Sequence, residues 1–193
     1  MMNVDVDVPE GVSGVWRVEN FTVSEQDAKR ERMYAVFHGG RGVPAGDYVR
    51  LMRGGRVIMS NTPDEIRDHS PIRWNATGKV LINGLGLGVV IEMIIDQVQH
   101  ITVVEKSADV IDLCANHYRT KYPDKIEVIQ ADALEYQPPK GIRYNAVWHD
   151  IWDDICTDNL ISMGRLHRKY GRRADWQGSW SREDCLYYRR LGY

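Results

Sequence analysis

The chain has 193 residues, 43% hydrophobic and 27% charged, with 25 Lys and Arg against 27 Asp and Glu for a net charge of -2. Those values describe a globular chain large enough to bury a core, and they argue against a generally basic coat for nucleic acid. Three cysteines, Cys114, Cys156 and Cys185, lack CxxC spacing, so neither a disulfide framework nor a zinc finger is indicated. The acidic, alternating first ten residues are unlike a signal peptide, and the longest apolar run, Val89 to Ile95, is broken by Glu92 and too short to span a bilayer. A soluble, cytoplasmic protein with no membrane partner is expected.

Residues 1–78 read as an irregular extension with glycines at Gly39, Gly40, Gly42 and Gly46. Within it, Glu25 to Tyr34 can form a short charged helix. Tyr48 to Met52 and Arg56 to Ser60 alternate around Arg53-Gly54-Gly55, which predicts a β-hairpin over 48–60. Residues 79–156 alternate strand and helix. Val80-Leu81-Ile82 is a buried-strand run, Leu87 to Asp96 a helix, and Ile101 to Val104 a second strand. Ser107 offers a helix N-cap with Asp109 in the first turn, and Val110, Ile111, Cys114, His117 and Tyr118 share one helical face. Ile126 to Gln130 and Tyr144 to Trp148 complete four short strands. This alternation implies βαβ units and hence an α/β, Rossmann-like, mostly parallel sheet. Residues 157–193 carry eight Lys and Arg against four Asp and Glu and read as basic C-terminal helices. Leu160, Met163, Leu166 and Tyr170 lie at helical spacing, with Gly171 as a stop and Ser181 and Asp184 as a cap for a second helix. One compact domain is expected overall.

The main functional signal is Gly84-Leu85-Gly86-Leu87-Gly88, after a strand and before a helix, where glycines let the backbone approach a ligand. The third glycine of GxGxxG would fall at Val89 or Ile91, so a dinucleotide site is disfavoured. Glu105 ends the second strand, placed to accept from both hydroxyls of a ribose. Asp132 ends the third, within reach of an adenine amino group, and Asp150 ends the fourth. Ligands of open α/β sheets lie outside these carboxyl ends. A nucleoside-type cofactor follows from the four strand ends taken together.

These residues resemble the class I S-adenosylmethionine-dependent methyltransferases, over residues 79 to about 155. The resemblance implies S-adenosylmethionine in the crevice, with Gly84, Gly86 and Gly88 as its glycine loop, Glu105 on the ribose and Asp132 near the adenine. Its methyl would face the loop of Asp150. Ile82 stands where that family usually has an acid. The hairpin, Asp64, Glu65 and His69, and the Asp150 and Asp153 pair are similar to spermidine synthases. Asp68 and Ser70 replace that family's Tyr and Glu, and Leu87 replaces the loop aspartate. An aminopropyltransferase using decarboxylated S-adenosylmethionine is therefore the alternative, and a non-catalytic cofactor-binding protein the third reading.

Methyl transfer asks the protein mainly for positioning and, where needed, for a proton acceptor. Asp150, His149 and Asp153 are the candidate catalytic residues, although His149 also reads as a strand residue hydrogen-bonded under the sheet. No metal is expected: Asp150, Asp153 and Asp154 are hard oxygen donors but also fit solvated acids at a helix entry. The [D/N]-P-P-[Y/F/W] motif of DNA amino methylation is replaced by His149-Asp150-Ile151-Trp152, so nucleic acid is not an expected partner. Trp148, Trp152, Trp176 and Trp180 can wall a substrate or pack on the sheet. With no later strand evident after Asp154, a partner copy completing the sheet, and hence a homo-oligomer, is conceivable.

Overall fold

The computed structural model describes residues 4–38 and 42–193, so Gly39 and Gly40 of the glycine cluster lie outside the described residues. Two sheets organise the chain. The first is antiparallel: β1 (Gly11–Ser13), β2 (Trp16–Val23), then α1 (Glu25–His38), then β3 (Gly46–Arg53) and β4 (Arg56–Ser60), in the order β1-β2-β3-β4. The expected hairpin is thus β3–β4, turning at Gly54 and Gly55, both at positive φ. The rest of the extension is not irregular as expected. β2 pairs with β3 along its whole length, from Trp16 opposite Arg53 to Val23 opposite Gly46. Its alternation is masked in sequence by polar residues, because only Val18 of β2 is buried.

Two short helices, α2 (Pro63–Asp68) and α3 (Ser70–Asn75), lead into the second sheet. There follow β5 (Gly78–Asn83), α4 (Val89–Ile94), β6 (Val98–Glu105), and a helical stretch of α5 (Ala108–Val110), a π turn (Ile111–Ala115) and α6 (Asn116–Lys121). Then come β7 (Ile126–Gln130), β8 (Tyr144–His149), α7 (Asn159–Tyr170), β9 (Ala174–Ser179) and α8 (Arg182–Arg190). The sheet order is β7-β6-β5-β8-β9, with every pairing parallel. The α/β, Rossmann-like fold expected from the strand–helix alternation is the fold observed.

The period of two along the strands sorts the core into two layers. Val80 and Ile82, Ile101 and Val103, and Ala146 and Trp148 join α4, α5 and α6 in one cluster, which continues into Val18, Val49 and Leu51 of the first sheet. Leu81, Val104 and Val147 face the other way, against Leu166 and Tyr170 of α7. Ser107 caps α5 as expected, accepting from the Val110 amide at 3.3 Å. Among the described residues, no helix is long and apolar enough to cross a membrane.

The C-terminal region is corrected in one respect. Residues 174–179, expected within helices, form β9, which adds a fifth strand beside β8. Ala-Asp-Trp-Gln-Gly-Ser has little intrinsic strand preference. Its place is set by packing: Trp176 stacks on Trp148 at 6.2 Å between ring centroids, and a side chain at Gly178 would collide with both rings. Ser181 stands before α8 as expected but in a left-handed conformation, φ 46°, and its hydroxyl makes no capping bond.

Candidate functional site

In a sheet ordered β7-β6-β5-β8-β9, the connections leave β5 toward β6 on one side and toward β8 and β9 on the other. A crevice therefore opens at the carboxyl ends of β5 and β8, where the order reverses. It has a volume of about 690 Å³, within the usual range for a small-molecule site, and it is lined by Gly84, Gly86, Glu105, Asp132, Asp150 and Asp153. The first sheet roofs it with Trp16, Leu51, Arg53, Ile58 and Met59.

Gly84 is where β5 leaves the sheet. Its φ of +98° suits glycine, and a Cβ there would overlap the carbonyl oxygen of Asp150. The Gly84 amide donates to Val104 O at 2.8 Å and the Asp150 amide to Asn83 O at 2.8 Å, which ties three strand ends together. At Gly86 the space a Cβ would need is taken by the Met59 sulfur, 2.5 Å from that position. Gly88 does not line the crevice. It precedes α4 and makes room for the Tyr118 ring, whose hydroxyl donates to Leu87 O at 2.6 Å. Of the three loop glycines, the first two serve the crevice and the third serves packing.

Glu105 sits at the turn between β6 and α5. One carboxylate oxygen accepts from the Leu85 amide at 2.8 Å and the other from the Ser107 amide at 2.7 Å. Each oxygen keeps a second acceptor position, so the group is held in orientation and can still accept from a diol. Asp132 accepts from the Leu134 amide and from Lys106, both at 2.8 Å, and these two donors hold its carboxyl below the usual range. These two carboxylate acceptors, beside a turn whose Gly84 and Gly86 line the cavity, fit a nucleoside with a free ribose diol.

Asp150 lies at the back, its side chain 10% exposed, with the His69 ring nitrogen Nε2 at 3.7 Å. Burial, together with the Glu65 and Glu105 carboxylates, pushes its pKa up to about 8. Glu65 is raised to about 7, chiefly by burial, against hydrogen bonds from the Ser60 amide and hydroxyl at 2.6 and 2.8 Å. His69 is buried, lowered to about 4 by desolvation, and its Nδ1 has no hydrogen-bond partner among the described residues. Asp153 pairs with Arg53 and Asp154 with Arg56, which pins the β3–β4 turn to the loop after β8. Those arginines occupy two of the three acids weighed as metal donors, Asp153 and Asp154.

His149 is placed elsewhere, and its candidacy as a catalytic base is corrected. Its ring lies beside His167 and Tyr170 on the α7 side of the sheet. The Asn83 amide donates to Nδ1 at 2.8 Å, which leaves the proton on Nε2 facing Gln177 Oε1 at 3.4 Å. Burial lowers this imidazole to about 3. Strand alternation alone accounts for it: one residue earlier than Asp150 means the opposite face.

The tryptophans divide. Trp152 and Trp180 line the crevice, whereas Trp148 is buried in the sheet against Trp176. Trp16 also lines it, with the Arg53 guanidinium 5.3 Å from its ring centroid. Trp16, Arg53 and Met59 had no functional signal in the sequence, since they reach the crevice only because the first sheet folds over the second.

No protein-family profile matches the chain, and no curated protein matches it in sequence. Solved structures match part of it in structure. They include a protein assigned as a caffeoyl-CoA O-methyltransferase from Staphylococcus aureus (16% identity, TM-score 0.44, covering 76% of this chain and 61% of that one). An S-adenosylmethionine-dependent methyltransferase from Clostridium acetobutylicum matches at 13% identity and TM-score 0.41, covering 57% and 44%. A dimethyladenosine transferase from Plasmodium falciparum matches at 15% and 0.38, covering 47% and 32%. The chain spans about a third to two thirds of the length of these structures. At such values the functional reading rests on the crevice itself.

Proposed function

We propose that the chain binds S-adenosylmethionine in this crevice and transfers its methyl group to an acceptor held near Asp150. One observation carries the reading: the Gly84–Gly86 turn, Glu105, Asp132 and Asp150 converge at the carboxyl ends of four neighbouring parallel strands. In strand order Asp132 after β7 would hold the adenine, Glu105 at the end of β6 the ribose, and the turn after β5 would face the 5′ substituent. The bound cofactor supplies an already activated methyl group. What the chain contributes is alignment of donor and acceptor, exclusion of water beneath the β3–β4 hairpin, and a place for a proton.

Asp150 takes that proton. Its pKa of about 8 makes it a stronger base than an ordinary carboxylate, and it lines the cavity. Asp153, held by Arg53, positions the loop that carries Asp150 and Trp152. Trp152 and Trp180 offer flat apolar surface for the acceptor.

Calorimetry with S-adenosylmethionine and S-adenosylhomocysteine tests the reading, which fails if the folded protein binds neither. Once an acceptor is in hand, turnover should rise with pH and level off above about pH 8, as Asp150 loses its proton. A second reading draws on Glu65, His69, Asp150 and Asp153 lining one cavity, the residues that carry the likeness to spermidine synthases. Turnover of putrescine with decarboxylated S-adenosylmethionine, and none with the parent cofactor, would put aminopropyl transfer first. Binding with no turnover across acceptor classes would favour a cofactor-binding role.

A further inference from the structure

The glycine loop lines the crevice but is covered at Gly86. Met59, on β4, reaches down to it: its sulfur accepts from the Leu87 amide at 3.3 Å and fills the recess above Gly86. A thioether is a weak acceptor, whereas a carboxylate on the same amide would make a charge-assisted bond. Met59 is held over the loop from both sides. On one side Ser60 is bound to Glu65 through its amide and hydroxyl. On the other, the turn preceding β4 is pinned by Arg53 to Asp153 and by Arg56 to Asp154. The Glu65 and Asp150 carboxyls line the same cavity, and their ionised forms repel a second carboxylate.

We infer that Met59 is a specificity-determining residue, a tethered competitor for the amino-acid end of the nucleoside cofactor. The inference rests on the nucleoside reading above. With adenine at β7 and ribose at β6, the 5′ substituent passes over β5, where the Met59 sulfur sits. A ligand with a long 5′ substituent ending in a carboxylate must displace it, and the apparent affinity falls by the fraction of molecules in which Met59 has swung out. A nucleoside with a short neutral 5′ group, such as 5′-methylthioadenosine, does not reach the recess.

The test compares affinities of S-adenosylhomocysteine and 5′-methylthioadenosine by calorimetry, in the wild type and in Met59→Ala, Met59→Val and Met59→Leu. In the Ala and Val variants, S-adenosylhomocysteine should bind about tenfold tighter. The affinity for 5′-methylthioadenosine should stay within about twofold. Val is included because a β-branched residue suits a strand and preserves β4 should the Ala variant unfold. Leu refills the recess and should keep the wild-type ratio. An unchanged ratio in Ala or Val, with both ligands bound, overturns the role of Met59 and leaves the nucleoside reading standing. A loss of affinity for both ligands alike also overturns it, because Met59 would then be only a packing residue of the roof. Binding of neither ligand to any of the four proteins overturns both inferences together.

Discussion

The floor and the roof of the crevice are built differently. The floor consists of strand ends locked by the hydrogen bonds of backbone amides: Gly84 to Val104 O, Asp150 to Asn83 O, and Leu85 and Ser107 to the Glu105 carboxylate. The roof is the β3–β4 hairpin, held to the loop after β8 by partly exposed ion pairs between Arg53 and Asp153 and between Arg56 and Asp154. Backbone bonds among buried strands give a fixed floor. Exposed ion pairs contribute little net stability and weaken with salt, so the β3–β4 turn of the roof, rather than the buried Val49 and Leu51 of β3, is the part that can move.

The severest test of a rigid floor is Gly84→Ala. The new Cβ would meet the Asp150 carbonyl and the backbone would keep a positive φ, so the variant should lose at least about 3 kcal/mol of stability. A denaturation midpoint matching wild type would show that this turn is not fixed. Next is Glu105→Ala, which removes the acceptor proposed for the ribose and should cost about 1.5–3 kcal/mol of cofactor binding. An unchanged dissociation constant in a folded variant would take Glu105 out of the site.

The buried titrating groups give the third test, with opposite signs for acid and imidazole. Asp150 binds its proton more tightly folded than unfolded, because burial raises it to about 8. Its contribution to stability therefore falls as pH rises from about 4 to about 8, by at most about 1.4 kcal/mol per pH unit for one proton. Asp150→Asn should flatten that limb. His149, lowered to about 3, behaves the other way: the unfolded chain binds the extra proton, so stability falls as pH drops below about 6.5. Urea titrations across pH check both limbs, and equal slopes in wild type and Asp150→Asn would contradict the buried-acid assignment.

The smallest effect concerns the roof. Arg53→Ala and Arg56→Ala should each change global stability by less than about 1 kcal/mol. Both should speed hydrogen exchange in the β3–β4 turn, and added salt should do the same to the wild type while leaving the amides of β5 and β6 protected. Equal acceleration in floor and roof would erase the distinction between them.

The parallel sheet was legible in residues 79–156 because its central strands β5 and β8 are short apolar runs and the strands alternate with segments of helical period. Glu105, Asp132 and Asp150 were legible because a strand's end is readable once the strand is, and ligand crevices of such sheets lie at those ends. His149 and Asp150 show how fine that reading is, since neighbours in sequence point to opposite faces. β2 was hidden by its polar, half-exposed residues, and β9 by a composition that favours no strand; both exist through their pairing with β3 and β8.

Local periodicity thus sufficed for the α/β class, for the four strands within residues 79–156 and for the acids at the carboxyl ends of three of them. Tertiary structure decided the spatial order of the strands, the division of the tryptophans between core and crevice, and the identity of the roof. Met59 and Trp16 are far in sequence from Gly86 and Asp150 and meet them only because burying Val18, Val49 and Leu51 requires the first sheet to close over the second.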